Sequence, residues 1–228
     1  MRLTKLDNSN LLDKTYDVIK DLIIRREFKP NQKISIPELS AQLGVSRTPI
    51  RDALNRLEKD GLVKTVSKVG TFVNAIEIDD ILNIMDTRLM LELWVVEKLY
   101  LLTDEELADK ANHLESLLNS ATALIDKRSL ESFLKSDYNL QFHIQFLELG
   151  GNQRNVEIYI DLMNYHNLAV ERALITKEMV SSAIDQHYSI VTAIKHRNIA
   201  AAKKAINLHL KDSTDRLLER LNANGGQI

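Results

Sequence analysis

Four polar residues near position 50 have the types and the spacing needed to bind nucleic acid. Arg47 and Arg51 are four residues apart, so on a helix they project from one face. Each guanidinium can donate two hydrogen bonds to O6 and N7 of a guanine in the major groove. The hydroxyls of Ser46 and Thr48, at the start of the same helix, suit phosphate oxygens. The alternative is a solvated basic face on an ordinary helix.

Three of the six histidines have a spacing that could bring their imidazoles together. His187 and His209 each lie 11 residues from a predicted turn near residue 198, so in an antiparallel helix pair both sit about 16 Å from that turn. His143 lies four residues after Asn139 in another predicted helix, on the same face. Three imidazoles with open coordination positions form a metal site. Unrelated positions for the three histidines remain an equally good interpretation of the spacing alone.

The elements around the arginine-bearing segment follow the order of a winged helix. Apolar residues recur with a helical period over 11–28, and Ser35 with Glu38 forms a capping box that opens a second helix. A third helix is predicted over 47–60, with its apolar residues on one face. Two β-rich runs within 62–73 are separated by a short turn and predict a hairpin. This context makes a solvated basic face a much weaker interpretation.

The rest of the chain predicts long helices. From Asp79 onward the pattern gives about six of them, with approximate bounds 79–102, 104–125, 129–149, 153–173, 178–197 and 199–222. The fold class is therefore mainly α. Its two predicted domains are a winged helix-turn-helix over 1–75, with three helices and a hairpin wing, and an all-helical domain over 76–228.

Charge supports the same division. Residues 1–75 hold 14 Lys and Arg against 9 Asp and Glu, a balance of +5, whereas residues 76–228 hold 16 against 23, a balance of −7. This asymmetry favours an N-terminal domain that binds an anion and a C-terminal domain that does not. The chain has no cysteine, no signal-like N-terminus and no membrane-length apolar run, so we expect a cytoplasmic protein that does not enter a membrane.

The N-terminal motifs resemble the GntR family of bacterial regulators over about residues 10–74. The segments that carry the resemblance are Ala41–Leu54, Leu57, Asp60–Val63 and Gly70–Val73. The resemblance implies a homodimer with two recognition helices on palindromic double-stranded operator DNA, and a wing tip near the minor groove. It implies DNA contacts by Ser46, Arg47, Thr48, Arg51 and Gly70, with Lys68 as a phosphate contact.

Two residues depart from that family pattern. Pro37 stands where some members have a DNA-contacting arginine, and Val69 occupies a wing-tip position that is often polar or basic. The recognition helix is unaffected, but both departures reduce the expected affinity for the minor groove.

The C-terminal motifs resemble the FCD ligand-binding domain of the FadR-like branch of that family, over about residues 80–220. The matching segments are Arg88–Glu92, Asn139–His143, Gly151–Asn152, His187–Ala193 and Ala201–His209. The resemblance implies an antiparallel bundle of six or seven helices around a pocket. It also implies a divalent metal held by one Asp and three His, with a small carboxylate beside it.

Carried over by position, the metal ligands are His143, His187 and His209, with Asn139 in the place more usually held by Asp. Its amide oxygen is a weaker ligand than a carboxylate. We expect zinc, with nickel or manganese as alternatives. Arg88 resembles the arginine that pairs with the effector carboxylate, although a surface ion pair between Arg88 and Glu92 is an alternative.

We therefore expect a transcription regulator, a repressor, whose affinity for its operator is modulated by a small organic acid. An alternative is a regulator for which the metal ion itself is the signal. A metal-dependent hydrolase is the weakest interpretation, because the His-Glu-x-x-His spacing and Gly-rich phosphate loops are absent from the sequence. We expect no enzymatic activity.

Overall fold

The computed structural model describes residues 9–25, 27–127, 129–169 and 175–223, and most of these are helical. Within the described residues, those up to Glu77 together with 164–169 belong to one compact unit, and 78–163 with 175–223 belong to another, so the first boundary lies between Glu77 and Ile78. The predicted division at 75–76 lies two residues before this point. No described helix is long and apolar enough to cross a membrane.

The first unit contains three helices and a small sheet. Its elements are α1 (Ser9–Ile24), β1 (Lys33–Ile34), α2 (Ile36–Leu43), α3 (Arg47–Lys59), β2 (Val63–Val66) and β3 (Gly70–Val73). The sheet is antiparallel with the order β1-β3-β2. The predicted hairpin is confirmed, whereas the two-residue strand β1 was not predicted because it is too short to show alternation.

The turn between α2 and α3 follows from its residue types. The Ser35 side chain accepts a hydrogen bond from the Glu38 amide, so the predicted capping box does open α2. Gly44 ends that helix at φ 64°, a left-handed conformation that costs a glycine little. The Ser40 hydroxyl donates to the Val45 carbonyl and closes the turn. These contacts set the direction in which α3 begins.

Helix α3 is fixed by its apolar face and by a buried tyrosine. Ile50, Ala53, Leu54 and Leu57 are buried, as predicted. At the other end of the helix, the Tyr16 hydroxyl of α1 donates to Asp60 Oδ2 at 2.5 Å, and the Arg56 guanidinium lies 4.0 Å from the centre of the Tyr16 ring. Burial and then the Asp60 hydrogen bond raise the pKa of Tyr16, which keeps its donor proton in place.

From Ile78 onward the described regular elements are all helical, and the last turns of the helix that begins at Gln153 belong to the first unit. These elements are α4 (Ile78–Lys98), a short 3₁₀ turn (Leu99–Leu101), α5 (Asp104–Lys127), α6 (Leu130–Ser136), α7 (Tyr138–Glu148), α8 (Gln153–Ala169), α9 (Lys177–Lys195) and α10 (Ile199–Ala223). Seven α-helices are thus described here, in agreement with the expected bundle of six or seven.

Two predicted helix bounds were wrong. The helix expected over 129–149 is two helices, because Asp137 adopts a left-handed φ of 53° between α6 and α7. The helix expected over 79–102 tightens to 3₁₀ geometry after Lys98. The end of the helix expected over 153–173 lies outside the described residues.

One arginine holds the α9–α10 turn against the α4–α5 turn. Arg197 has a left-handed φ of 48°. Its guanidinium donates to the carbonyls of Leu99 and Leu102 at 2.8 and 2.7 Å and to Asp104 Oδ1 at 2.9 Å. Two of these bonds satisfy carbonyls at the end of the 3₁₀ turn, and the third is an ion pair. Together they fix the turn that joins α9 to α10.

Candidate functional site

The N-terminus of α3 presents the polar residues predicted for DNA contact. Ser46, Arg47, Thr48 and Arg51 are all exposed. Ser46 precedes the helix with extended backbone, but its side chain makes no capping hydrogen bond. The hydroxyl and the first amides of the helix are therefore available to an anion such as phosphate.

The wing predicted to lie beside DNA is the hairpin of β2 and β3. Lys68 has φ 61° and Gly70 has φ 144°, so the turn is made by two residues in positive-φ conformations. Lys68 is exposed, and Val69 exposes 52% of its surface at the tip. Pro37 is also exposed, in the first turn of α2. The two positions that depart from the family pattern, Pro37 and Val69, are thus exposed and carry apolar, uncharged side chains.

The three histidines predicted to converge do lie together inside the second unit. His143 on α7, His187 on α9 and His209 on α10 are all buried. The Nε2 atom of His209 is 3.3 Å from Nε2 of His187 and 3.3 Å from Nε2 of His143. One nitrogen of each ring lies within 4.8 Å of the others. Counting residues from the turn therefore predicted correctly that His187 and His209 share one level.

These distances fit a single metal ion. Two nitrogens bound to the same zinc at about 2.1 Å, with tetrahedral angles, are about 3.4 Å apart. Imidazole nitrogens that face one another at this distance can share a metal ion, or a proton where one ring takes the Nε2–H tautomer. The donor set of three imidazoles leaves further coordination positions for water or a ligand, and it suits zinc or nickel.

Neighbouring polar groups orient two of the three rings. His209 Nδ1 lies 2.8 Å from Gln186 Oε1, and Gln186 Nε2 donates to Asp212 Oδ2 at 2.5 Å. His143 Nδ1 lies 3.2 Å from Glu92 Oε1. The Gln186 contact favours the proton on Nδ1 of His209 and leaves the Nε2 lone pair of that ring directed at the cluster. The ring of His187 is held differently, stacked on Phe142 with centroids 4.0 Å apart.

Burial also favours the form of the histidines that binds metal. Desolvation lowers the pKa of His187 and of His209 well below the ordinary value, and nearby His143 and Arg88 lower it further. Neutral imidazole is the ligand form, so the lone pairs are present at neutral pH.

Arg88 lies beside this cluster in a buried ionic network. Its Nη2 atom is 3.4 Å from Glu92 Oε1 and 3.3 Å from His143 Nε2. The Tyr159 hydroxyl donates to the same Glu92 oxygen at 3.0 Å. Arg88 and Glu92 are 1% and 0% exposed, so the alternative of a surface pair was wrong. Arg88 Nε and Glu92 Oε2 have no hydrogen-bond partner within the described ranges of the chain.

Asn139, the predicted fourth ligand, is placed differently from the histidines. It is exposed in the first turn of α7, whereas the three imidazoles are buried. Its role as a ligand stays a prediction. Among the remaining histidines, which were not predicted to bind metal, His113 and His196 are exposed and His166 is buried on α8.

Four residues of this site were not predicted from the sequence. They are Glu92 as a partner of His143, together with Tyr159, Gln186 and Asp212. Gln186 is adjacent to His187 in the sequence but contacts the ring of His209 on the neighbouring helix. Counting residues from the turn near 198 along the two antiparallel helices would have placed Gln186 near His209. The sequence pattern gave no indication of Tyr159.

Two protein-family models match the chain. The model for bacterial regulatory proteins of the gntR family matches residues 11–73, and the model for the FCD domain matches residues 83–212. Both known domains thus coincide with the two sets of motifs described above.

Similar proteins share most of the chain. It is 27% identical over 205 residues to the HTH-type transcriptional regulator YdhC of Bacillus subtilis (strain 168), which covers 89% of this chain and 88% of that protein. It is 24% identical over 206 residues to the HTH-type transcriptional repressor RspR of Escherichia coli (strain K12), covering 88% and 86%. A solved GntR transcriptional regulator from Rhodococcus sp. RHA1 has the same fold, with a TM-score of 0.68, 21% identity, and coverage of 92% and 98%.

Proposed function

The chain belongs to the GntR family of bacterial regulators and carries an FCD domain, and from this we propose that it is a metabolite-responsive repressor. The family makes it a DNA-binding transcription regulator and not an enzyme. In the proposal, a small carboxylate binds beside a divalent metal in the helical domain and weakens the affinity of the protein for its operator. The name of the relative RspR, a repressor, supports the direction of control.

DNA reading is assigned to the exposed end of α3. Arg47 and Arg51 contact base edges in the major groove, whereas Ser46 and Thr48 contact phosphate. Lys68 and Gly70 of the wing lie against the backbone beside the minor groove. The protein binds as a homodimer, with one α3 helix in each half of a palindromic site. The exposure of all four α3 residues supports this assignment.

Metal binding is assigned to His143, His187 and His209. The observation that carries this assignment is the pair of 3.3 Å separations between Nε2 atoms, which match two nitrogens on one ion. Zinc is the proposed ion, with nickel or manganese as alternatives. The ion would act as a Lewis acid that holds an effector carboxylate oxygen, while Asn139 contributes at most a weak outer ligand.

Effector binding is assigned to Arg88 beside the metal. Arg88 Nε is a buried donor that lacks a partner within the described residues, and an incoming carboxylate would satisfy it. Glu92 and Tyr159 hold the other side of the guanidinium in place. A carboxylate that binds both the ion and Arg88 would thus be fixed at two points.

Control follows from linkage between the two sites. If the effector binds more tightly to a dimer geometry in which the two α3 helices mismatch the half-site spacing, it must weaken operator binding. A coupling free energy of about 1–3 kcal/mol would change operator affinity by roughly 5–150-fold.

The test is an operator titration at fixed salt. Operator affinity of the zinc-loaded protein is measured by fluorescence anisotropy with acetate, succinate and benzoate, which chelate zinc weakly, as probes. At least one acid should weaken binding within the range above, and Arg88→Lys should need more of that acid because the guanidinium fork is removed. If a broad panel of small carboxylates leaves the affinity unchanged, the proposal is wrong.

A second candidate function is a sensor of the ion itself. The observation that favours it is that Arg88 already contacts Glu92 and lies near His143, so a carboxylate has to compete for the guanidinium. A chelator separates the two functions. If chelation alone releases the operator and zinc alone restores binding, the ion is the signal.

A further inference from the structure

The tip of the wing carries few charged residues, although the wing is expected to lie beside the DNA. Val69 exposes 52% of its surface there, and the hairpin contributes Lys64 and Lys68 as its cations. No acidic residue occurs between Gly61 and Ile76. The surface is therefore basic but short of donors at the tip.

A third lysine reaches this tip from outside the hairpin. Lys33 lies on β1, the edge strand that pairs with β3, where it is opposite Phe72. Its stem crosses the face of Gly70. A Cβ atom built on Gly70 would lie 2.6 Å from Cε, 3.4 Å from Nζ and 3.6 Å from Cδ of Lys33.

This close approach gives Gly70 two reasons to be glycine. Its φ of 144° is open to few other residues, and the space that a side chain would occupy is filled by the Lys33 stem. Lys33 is exposed, and no ion pair with it is formed within the described residues. Its ammonium is thus placed at the wing tip, and no acidic side chain of the described residues forms an ion pair with it.

We propose that Lys33 is a DNA-phosphate contact of the wing, in addition to Lys68. Its ammonium supplies a positive charge at the wing tip, where Val69 has none. A compact ammonium on a flexible stem suits a phosphate oxygen and carries no base preference. The proposal depends on DNA binding by the family and is independent of the metal and of the effector.

The competing interpretation is that Lys33 only protects an edge strand. Lysines on edge strands discourage pairing with other chains, and such a residue has no role in DNA binding. The two interpretations differ in salt dependence. Affinity for DNA falls as salt rises, by about 0.9 units of log K per unit of log salt for each phosphate contact. Removing a lysine that binds a phosphate makes this dependence less steep by about 0.9, whereas removing an edge lysine leaves it unchanged.

The experiment compares Lys33→Met and Lys33→Arg with the control Lys14→Met, which removes an exposed lysine from α1. Binding to the operator and to unrelated duplex of the same length is measured from about 50 to 200 mM salt. Thermal unfolding verifies that each variant is folded.

For Lys33→Met we expect the salt slope to become less steep by about 0.9 per bound chain, or about 1.8 for a homodimer, equally on both duplexes, which is roughly a twelvefold change across that salt range. Lys33→Arg should retain the parent slope, and Lys14→Met should not change it. The proposal is overturned if the Lys33→Met slope is unchanged, if the loss occurs on the operator alone, or if Lys14→Met lowers the slope as much.

Discussion

The N-terminal surface of α3 and the histidine cluster of the helical unit use polar side chains in opposite ways. Ser46, Arg47 and Arg51 are exposed and come from one short segment. His143, His187, His209 and Arg88 are buried and come from four different helices. The first arrangement suits a large polyanion that stays in water, and the second suits a small ligand that is taken out of it.

This contrast has an energetic side. Exposed cations are hydrated in both the folded and the unfolded protein, so each of them costs the folded protein little. A buried polar group has to be satisfied within the fold, so the cluster depends on Glu92, Tyr159 and Gln186 as well as on the histidines. Substitutions should therefore affect one site and leave the other intact, and the following four tests use this expectation.

The largest effect is expected for His187→Ala. Loss of one of three imidazoles should weaken zinc binding by more than the roughly 100-fold that a supporting residue can cost. Operator affinity without zinc should not change. Competition with a fluorescent chelator measures the zinc affinity, and His113→Ala, which removes an exposed histidine from α5, is the control. Equal zinc affinity in both variants would remove His187 from the site.

The next effect is expected for Arg47→Ala. It should cost about 1–3 kcal/mol of operator binding and relax sequence preference, because the alanine cannot form a bidentate hydrogen bond to a base. Zinc affinity should be unchanged. Lys59→Ala, an exposed substitution at the other end of α3, serves as the control. An equal loss on unrelated DNA would make Arg47 a phosphate contact.

A somewhat smaller effect is expected for Gln186→Leu. The amide orients the His209 ring, so its loss should weaken zinc binding by about 10–100-fold while the three imidazoles remain. Ser182→Ala, exposed on the same helix, should have no effect. Were Gln186→Leu to bind zinc like the parent, the His209–Gln186–Asp212 chain would have no part in the site.

The smallest effect is expected for Asn139→Asp. The residue is exposed, so a new carboxylate is screened by water and should raise zinc affinity by less than about fivefold. Isothermal titration with zinc measures this change. A gain of about tenfold or more would contradict the expectation and would make residue 139 a direct ligand.

The two sites also differ in how far the sequence predicts them. The α3 surface depends on a helix start, an apolar face and a turn, all of which are local, and the sequence pattern predicts each of them. The level of His187 and His209 is predicted as well, because a short turn between two helices makes position a matter of counting.

The remainder of the helical site depends on which helices are neighbours. Arg88 and Glu92 show the spacing of a surface ion pair, and only the packing around α4 makes them buried. Tyr159 contacts Glu92 across 67 residues of sequence, a distance at which a single chain pattern carries no signal. The break at Asp137 was missed for a different reason, since neither Gly nor Pro marks it.

In the proposed mechanism, a ligand in the helical unit lowers the affinity of the first unit for the operator. The most direct measurement is the affinity of the zinc-loaded protein for the carboxylate that shifts operator binding most, taken with and without saturating operator. Linkage requires the operator to weaken that affinity by the same factor by which the acid weakens operator binding, roughly 5–150-fold. An identical affinity with and without operator would show that the two sites are not coupled.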